Sequence, residues 1–267
     1  MGQQPNRQQR RDAARAERER RAAAAATRQR QRRALLAAVA VTATAVVAIA
    51  VALGSSSDGD RARGDVPASP HGAHAPAAAA LLDGIPQDGT LLGQPDAPVT
   101  LVEFADLQCP FCGQFAVDAI PGLVRDYVRP GKVKLELRLL TFLGAESMRA
   151  AQLASAAALQ GLGWQYADLF FNNQGQEGSG YVTEDFLREI GDGVDGLDVD
   201  RAFEQSTGSE ADALIKRAAA AAETLGVSST PSFFVRRGGG RLEEVQVSEL
   251  SAEAIGAKLD ELLAGDR

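Results

Sequence analysis

Cysteine is nearly absent from this sequence: its 267 residues contain only Cys109 and Cys112, and aromatic residues make up 5%. One closely spaced pair cannot cross-link distant parts of a fold, which is the usual role of cysteine in secreted proteins. The hydrophobic content of 45% is still enough for a sizeable core. The length fits one large domain or two small ones.

Basic residues are scarce outside the first 33 positions. Residues 1–33 carry eleven arginines and three acids, whereas the remaining residues carry 17 basic and 32 acidic side chains. A basic N-terminal segment followed by an acidic remainder is not the charge distribution of a nucleic-acid-binding domain. We therefore expect no nucleic-acid partner. We predict that residues 1–33 form a basic cytosolic tail.

A run of twenty uncharged residues, Ala34–Leu53, follows the tail. As a helix it would be about 30 Å long, which matches the hydrocarbon core of a bilayer. The arginine-rich flank would stay in the cytosol, which places everything after Gly54 outside it. We therefore predict a single-pass membrane anchor with an extracytoplasmic body.

Two other interpretations of this run remain open. A cleavable signal is one, because Ala48-Ile49-Ala50 fits a small-x-small cleavage site and Arg32-Arg33 resembles a twin-arginine signal. A buried helix of a soluble protein is the other. We favour the anchor because the apolar run is longer than a usual signal core.

Residues 54–88 are rich in Ala, Pro, Gly and Ser, which predicts a flexible linker to a domain at 89–267. The linker contains the only histidines of the chain, His71 and His74. They could join the two cysteines as metal ligands, but a linker gives them no fixed geometry. We expect no metal.

The domain alternates between strand and helix patterns, which predicts an α/β fold. Two strands flanking a helix, with the usual right-handed crossover, would lie parallel in one sheet, and a C-terminal hairpin would extend that sheet. The predicted elements are a strand at 99–104, a helix at 112–128 kinked by Pro121, a strand at 132–140, a helical block at about 145–208, a helix at 210–225, a hairpin around 238–240 and a helix at 250–263.

The segment LQCPFCGQF places both cysteines where the first strand meets the helix. Pro110 suits the first helical turn, so Cys109 would lie at the helix N-terminus. Free backbone N–H groups and the helix dipole stabilise a thiolate there. Cys112 would be more buried and within bonding distance. The pattern predicts a redox-active dithiol.

A metal site, a structural disulfide and inert thiols are the alternatives. The loop between the cysteines is too short for a disulfide to stabilise the fold much. One pair of cysteines is half of the four ligands of a structural zinc site. Inert thiols would not be expected at a helix N-terminus of an exported protein.

Two further features of the sequence are predicted to act together with the cysteines. In GVSSTPSFFV, a cis Thr230–Pro231 bond would leave the Thr230 backbone free to pair with a peptide and would keep metal away from the sulfurs. Glu103, on the buried strand, would have a raised pKa and could relay the proton of Cys112. Asp106 is the alternative acid.

The segment VTLVEFADLQCPFC, the helical block and GVSSTPSFFV together resemble the thioredoxin superfamily, specifically the DsbA-like thiol:disulfide oxidoreductases. The likeness extends over about residues 91–263 and is similar to membrane-anchored forms of Gram-positive and actinobacterial envelopes. It implies a thioredoxin-like fold with an inserted helical subdomain, preceded here by the transmembrane helix. No cofactor is implied beyond the Cys109–Cys112 disulfide.

The resemblance also implies roles for individual residues. Cys109 would be the nucleophile, Cys112 the resolving cysteine and Glu103 the buried acid. Substrate would bind at four residues around the cysteines: Pro110, Phe111, Thr230 and the cis-proline Pro231. One departure matters, because strongly oxidising members carry Pro-His between the cysteines. Phe111 cannot add positive charge beside Cys109, so we expect a less stabilised thiolate and a less oxidising disulfide.

The expected function is to form disulfides in exported proteins. A quinone-linked membrane oxidase of the DsbB or VKOR type would be the redox partner. A membrane-tethered reductase or isomerase is the alternative within the same chemistry. A non-catalytic binding module, for which the cysteines would be dispensable, is the alternative outside it.

Overall fold

A six-stranded mixed sheet organises residues 74–265, the part of the chain that this computed structural model describes. The strands lie in the order β1-β2-β4-β3-β5-β6, and β3 and β4 are parallel whereas the other neighbours are antiparallel. The strands are β1 (Gln87–Asp88), β2 (Leu91–Leu92), β3 (Val99–Ala105), β4 (Val133–Leu139), β5 (Ser232–Arg237) and β6 (Glu243–Val245).

Helices connect and cover these strands. They are α1 (Ala75–Leu82), α2 (Pro110–Asp118), α3 (Ile120–Leu123), α4 (Ala145–Leu159), α5 (Gly163–Asn172), α6 (Glu184–Asp192), α7 (Val199–Ser206), α8 (Ser209–Leu225) and α9 (Ala252–Ala264), with a π-helical turn at Val124–Val128 after α3. The predicted α/β architecture and the parallel pair around the first crossover are confirmed.

Strand β3 lies at the centre of the sheet, between β4 and β5. All seven of its residues are buried, as expected for an apolar run covered on both faces. Buried and half-buried residues alternate along β4, which matches its period-two sequence. The register places Glu103 between Leu137 of β4 and Phe233 of β5, in the middle of the sheet.

The helix after the cysteines bends where the sequence predicts. It begins at Pro110, two residues earlier than expected, and α2 ends at Asp118. The chain continues as α3 and the π-helical turn. Pro121 has no N–H to donate to the preceding turn, which accounts for the break at this point.

Between β4 and α8, the range predicted as a helical block contains α4, α5, α6 and α7. Its aromatic side chains are buried, in agreement with the prediction that they form a core; they are Trp164, Tyr166, Phe170 and Phe171. Phe186 of α6 packs edge-on against Phe170, with ring centroids 5.3 Å apart. The Trp164 indole N–H donates to the Thr90 carbonyl oxygen at 2.9 Å, which ties the block to the edge of the sheet.

The segment 75–82 corrects the prediction of a flexible linker over 54–88. It forms α1, with Pro76 in the first turn and with Ala78 and Leu82 buried. Alanine favours the helix, and contacts with α5 bury one face of it. Composition alone predicted a linker here because Leu81 and Leu82 are the only large apolar residues among residues 75–82. Residues 54–73 of the predicted linker lie outside the described residues.

The predicted cytosolic tail (1–33) and membrane anchor (34–53) also lie outside the described residues. Among residues 74–265, no helix is long and apolar enough to cross a membrane. The tail and the anchor remain predictions from the sequence.

We predict that Leu82→Ala destabilises the full chain by about 2–5 kcal/mol, because it leaves a cavity where a side chain with 1% exposure was packed. Denaturant unfolding followed by Trp164 fluorescence measures the change. Ala77→Ser, on the exposed face of the same helix, is the control and should change the free energy of unfolding by less than about 0.5 kcal/mol. Equal midpoints for Leu82→Ala and the wild type would show that α1 is not part of the cooperative fold.

Candidate active site

A short loop after β3 fixes the position of the cysteines. Cys109 is the N-cap residue of α2, with extended backbone angles (φ −72°, ψ 120°), and Pro110 opens the helix. The Asp106 carboxylate accepts hydrogen bonds from the N–H groups of Gln108 (2.9 Å) and Leu143 (3.1 Å). These bonds hold the loop closed. They also occupy both oxygens of Asp106, the alternative acid.

The two sulfur atoms lie in different environments. Both cysteines are free thiols and both are buried, Cys109 with 5% exposure and Cys112 with none. The pKa of Cys109 is lowered to about 6, chiefly by a hydrogen bond from the Cys112 thiol. Burial opposes this effect, while hydrogen bonds from the Thr230 side chain and from the backbone N–H groups of Cys112 and Phe111 add to it. The Cys109 thiolate is therefore populated at neutral pH.

Cys112 shows the opposite behaviour. Its pKa lies well above the usual range of a thiol, first because of burial, then because its proton is shared with the Cys109 sulfur and because the charge of Glu103 opposes a second negative charge. At neutral pH the pair is thus a thiolate at the rim and a thiol beneath it. This is the arrangement of a nucleophile and a resolving cysteine.

Thr230 and Pro231 lie beside Cys109, although 121 residues separate the two motifs. The Thr230–Pro231 peptide bond is cis. In its protonated form, the Cys109 thiol donates to the Thr230 carbonyl oxygen at 3.3 Å. Both residues are half-buried and immediately precede β5, which pairs with β3. The structure therefore brings together the two segments that the sequence singles out.

Glu103 is a buried acid beneath the cysteines. Its side chain has 5% exposure, and its Oε1 atom has no hydrogen-bond partner among the described residues. Burial, and then the negative charge of Cys109, raise the pKa of Glu103 to about 8. At neutral pH this carboxyl group is mainly protonated, which lets it donate a proton to a neighbouring thiolate.

Apolar side chains surround the exposed edge of the site. Phe111 is 60% exposed and follows Pro110, which is exposed as well. Phe142 and Leu143 leave the end of β4 with 50% and 37% exposure. The Leu143 N–H bond to Asp106 holds this second segment beside the cysteine loop.

The helical block supplies two contacts to the cysteine loop that the sequence did not reveal. The Gln174 amide donates to the carbonyl oxygens of Leu107 (2.8 Å) and Cys109 (3.0 Å). Gln108 donates to Glu146 at 3.1 Å and accepts from the Gly178 N–H at 3.1 Å. Isolated glutamines carry no periodic signal, so nothing in the sequence marked Gln108 or Gln174.

No cluster of three or more metal-ligating side chains occurs between residues 74 and 265. His74 is exposed at the start of the described region, and His71 lies outside it.

Comparison with protein families places this chain in a known group. The model of a family described as thioredoxin matches residues 87–254. The chain therefore belongs to the thioredoxin family. The match contains β1 to β6 and both motifs of the site.

Individual curated relatives match parts of this chain. A probable disulfide bond formation protein D of Bacillus cereus is 36% identical over 101 residues, which are 37% of this chain and 47% of the relative. The sodium/proton antiporter NhaA 3 of Salinispora tropica is 38% identical over 143 residues, 54% of this chain and 21% of the relative. The chain thus spans about half or less of the length of these curated relatives.

Among solved structures, Pseudomonas aeruginosa DsbA2 superposes with a TM-score of 0.53 at 26% identity, covering 69% of this chain and 98% of that protein. The predicted thioredoxin-like fold and the resemblance to DsbA-like proteins are confirmed.

We predict that iodoacetamide alkylates the reduced full chain at a rate that rises with pH through a midpoint near 6, because deprotonation of Cys109 generates the nucleophile. The rate should level off about one unit above that midpoint. Cys109→Ser should remove the fast reaction, since Cys112 is buried and protonated. A midpoint near the ordinary thiol value of about 8.5 would contradict the stabilisation of Cys109.

Proposed function

We propose that this protein is an extracytoplasmic, membrane-tethered thiol:disulfide oxidoreductase that forms disulfides in exported proteins. The observation that carries the proposal is the contrast between the two thiols. Cys109 has a lowered pKa at the helix N-terminus, whereas Cys112 is held protonated beneath it. The family and the names of its relatives support this class of chemistry.

The reaction starts from the Cys109–Cys112 disulfide. A substrate thiolate attacks the Cys109 sulfur, the bond between the cysteines breaks, and a mixed disulfide forms between substrate and Cys109. Cys112 leaves as a thiolate that its buried surroundings disfavour. Glu103, protonated at neutral pH, supplies the proton that turns Cys112 into a thiol.

A second substrate thiolate completes the transfer. It attacks the substrate sulfur of the mixed disulfide, which forms the substrate disulfide and releases Cys109 as a thiolate. Because a thiol of low pKa is a good leaving group, the stabilisation of Cys109 favours this step. Two electrons have then passed from the substrate to the enzyme.

Substrate binding is proposed at the rim of the site. Pro110 and Phe111 offer exposed apolar surface next to Cys109, and Thr230 and Pro231 flank its other side. In this proposal the Thr230 backbone, which lies beside the Cys109 sulfur, pairs with an extended peptide whose thiol reaches Cys109. Apolar segments of incompletely folded proteins suit such a rim.

The reduced enzyme needs an electron acceptor. The sequence contains no third cysteine that could take the electrons, and we propose that another protein reoxidises the pair. We propose a quinone-linked membrane oxidase of the DsbB or VKOR type, which the anchor predicted at Ala34–Leu53 would keep close by. The same anchor would place the site outside the cytosol, where newly formed disulfides persist.

A disulfide reductase or isomerase is the second candidate, and Phe111 is the observation that favours it. Phe111 carries no positive charge that could stabilise the Cys109 thiolate further, and the pKa of Cys109, lowered chiefly by the hydrogen bond from Cys112, is about 6. That lies between about 3.5 for a strong oxidant and about 7 for thioredoxin. The direction of electron flow therefore depends on the reduction potential.

We predict that Cys112→Ser traps a mixed disulfide. With an oxidised peptide as substrate, Cys109 attacks the peptide disulfide, and no resolving thiol remains to release the adduct. Non-reducing electrophoresis and mass spectrometry should show one peptide bound at Cys109.

Cys109→Ser is the matched control, because it keeps one cysteine in the same motif. It should trap less than about a tenth as much peptide, since the Cys112 sulfur has no exposure and a raised pKa. Equal trapping by the two variants would contradict the assignment of nucleophile and resolving cysteine. Adduct formation by neither variant would favour a binding module.

A further inference from the structure

One side chain of the helical block, Gln174, binds the backbone of the cysteine loop. Its Nε2 group donates to the Leu107 carbonyl oxygen at 2.8 Å and to the Cys109 carbonyl oxygen at 3.0 Å. Leu107 and Cys109 are 1% and 5% exposed, so water has little access to them. Among the residues that the structure describes, no other group donates to the Leu107 oxygen. A single amide group thus binds the chain on both sides of Gln108.

The same amide group lies against the first turn of α2. The Cys109 carbonyl oxygen also accepts the N–H of Gly113 at 3.1 Å, which is the first hydrogen bond of that helix. A Cβ atom at Gly113 would overlap with the Oε1 atom of Gln174, and the three atoms nearest to it would all belong to that side chain. Glycine at position 113 therefore leaves the space that Gln174 occupies.

The packed core of the helical block fixes the backbone on either side of Gln174. The helix α5 ends two residues before it. The Tyr181 ring lies so close to the backbone of Gly175 that a Cβ atom there would be 2.6 Å from the Cγ atom of the ring. The same ring packs edge-on against Phe186, with centroids 5.0 Å apart. Gln174 is therefore held between a helix and an aromatic contact.

A second link joins the same two parts of the chain. Gln108 donates to the Glu146 carboxylate at 3.1 Å, and that carboxylate also accepts the Val182 N–H at 3.2 Å. The Gly178 N–H donates to the Gln108 side chain at 3.1 Å. Three successive residues of the cysteine loop are thus bound to the helical block, and Gln174 binds two of them.

We propose that Gln174 is a positioning residue, which holds the backbone of Leu107 and Cys109 so that the Cys109 sulfur stays at the first N–H groups of α2. The inference rests on the proposed disulfide exchange and deepens it. Gln174 acts through the backbone and takes no part in the exchange of sulfur partners.

Two effects of the Gln174 amide favour the thiolate form of Cys109. The N–H groups of Phe111 and Cys112 bond to the Cys109 sulfur, and this geometry requires the loop to keep its position relative to the first turn of α2. The amide hydrogens also offset the partial negative charge of two carbonyl oxygens of the same loop, in a site with little solvent to do so. Loss of the amide weakens both effects, so the thiolate becomes less stable.

The test measures alkylation of the reduced full chain by iodoacetamide between about pH 4 and pH 9, with Gln174→Met as the first variant. Methionine has nearly the length of glutamine but no N–H group to donate. The midpoint of the rate should rise from about 6 by about one pKa unit, the usual effect of one hydrogen bond that supports a charge. The rate should be about fivefold lower at pH 6 and should reach the wild-type rate near pH 9.

Gly113→Ala should give the same result without a change at Gln174. The added Cβ atom displaces the amide group, although alanine itself favours a helix. In the background of Gln174→Ala, the same substitution should cause no further shift of the midpoint, because the side chain that it would displace is gone.

Gln176→Met is the matched control, since Gln176 lies in the same segment and is exposed. It should keep the wild-type midpoint. Denaturant unfolding of each variant, followed by Trp164 fluorescence, shows separately how far the fold is destabilised.

The proposal is overturned if Gln174→Met keeps the wild-type midpoint, whether or not it unfolds more easily, since the role of the side chain would then be structural only. It is also overturned if Gly113→Ala shifts the midpoint equally with and without Gln174. Failure of the proposed function is a different result, in which the wild type does not exchange with an oxidised peptide, whatever the midpoints of the variants.

Discussion

The hydrogen bonding of the Cys109 sulfur at the start of α2 is the interaction on which the whole site depends. A sulfur atom one turn further along the helix would meet no free N–H groups, because those of later turns bond to carbonyl oxygens within the helix. Asp106 holds the loop that sets where α2 begins, and Gln174 binds the Cys109 carbonyl from the helical block. Thr230, which precedes β5 next to the end of β3, completes the set of partners. The cysteine loop, the helical block and the segment before β5 thus all help to position the Cys109 sulfur.

Burial sets the protonation states of Cys112 and Glu103. It keeps Cys112 protonated and keeps Glu103 mainly neutral near pH 7, so the sheet interior carries little charge despite holding an acid and a thiol. The negative charge of the site is thereby concentrated at the rim, on Cys109, where a substrate sulfur arrives. In the proposed reaction, a proton moves between these buried groups while the exchange of sulfur partners takes place at Cys109.

The sequence predicted those features that have a local signal. Strand β3 is a continuous apolar run, β4 alternates, and Pro110 and Pro121 mark where α2 begins and where it bends. Thr230–Pro231 was found because proline restricts its own backbone. Helix α1 was missed because alanine stretches are compatible with linkers, and only the contacts with α5 decide the outcome. Gln174 was missed because its contacts with the cysteine loop depend on long-range packing, and it belongs to no periodic or short motif.

The reduction potential of the Cys109–Cys112 pair tests the central claim, that the site stabilises the reduced form by stabilising the Cys109 thiolate. It is measured by equilibrating the full chain with glutathione buffers and quantifying the disulfide. An oxidase should give a value of about −120 to −180 mV. A value near or below about −250 mV, close to that of thioredoxin, would contradict this account and identify the protein as a reductase.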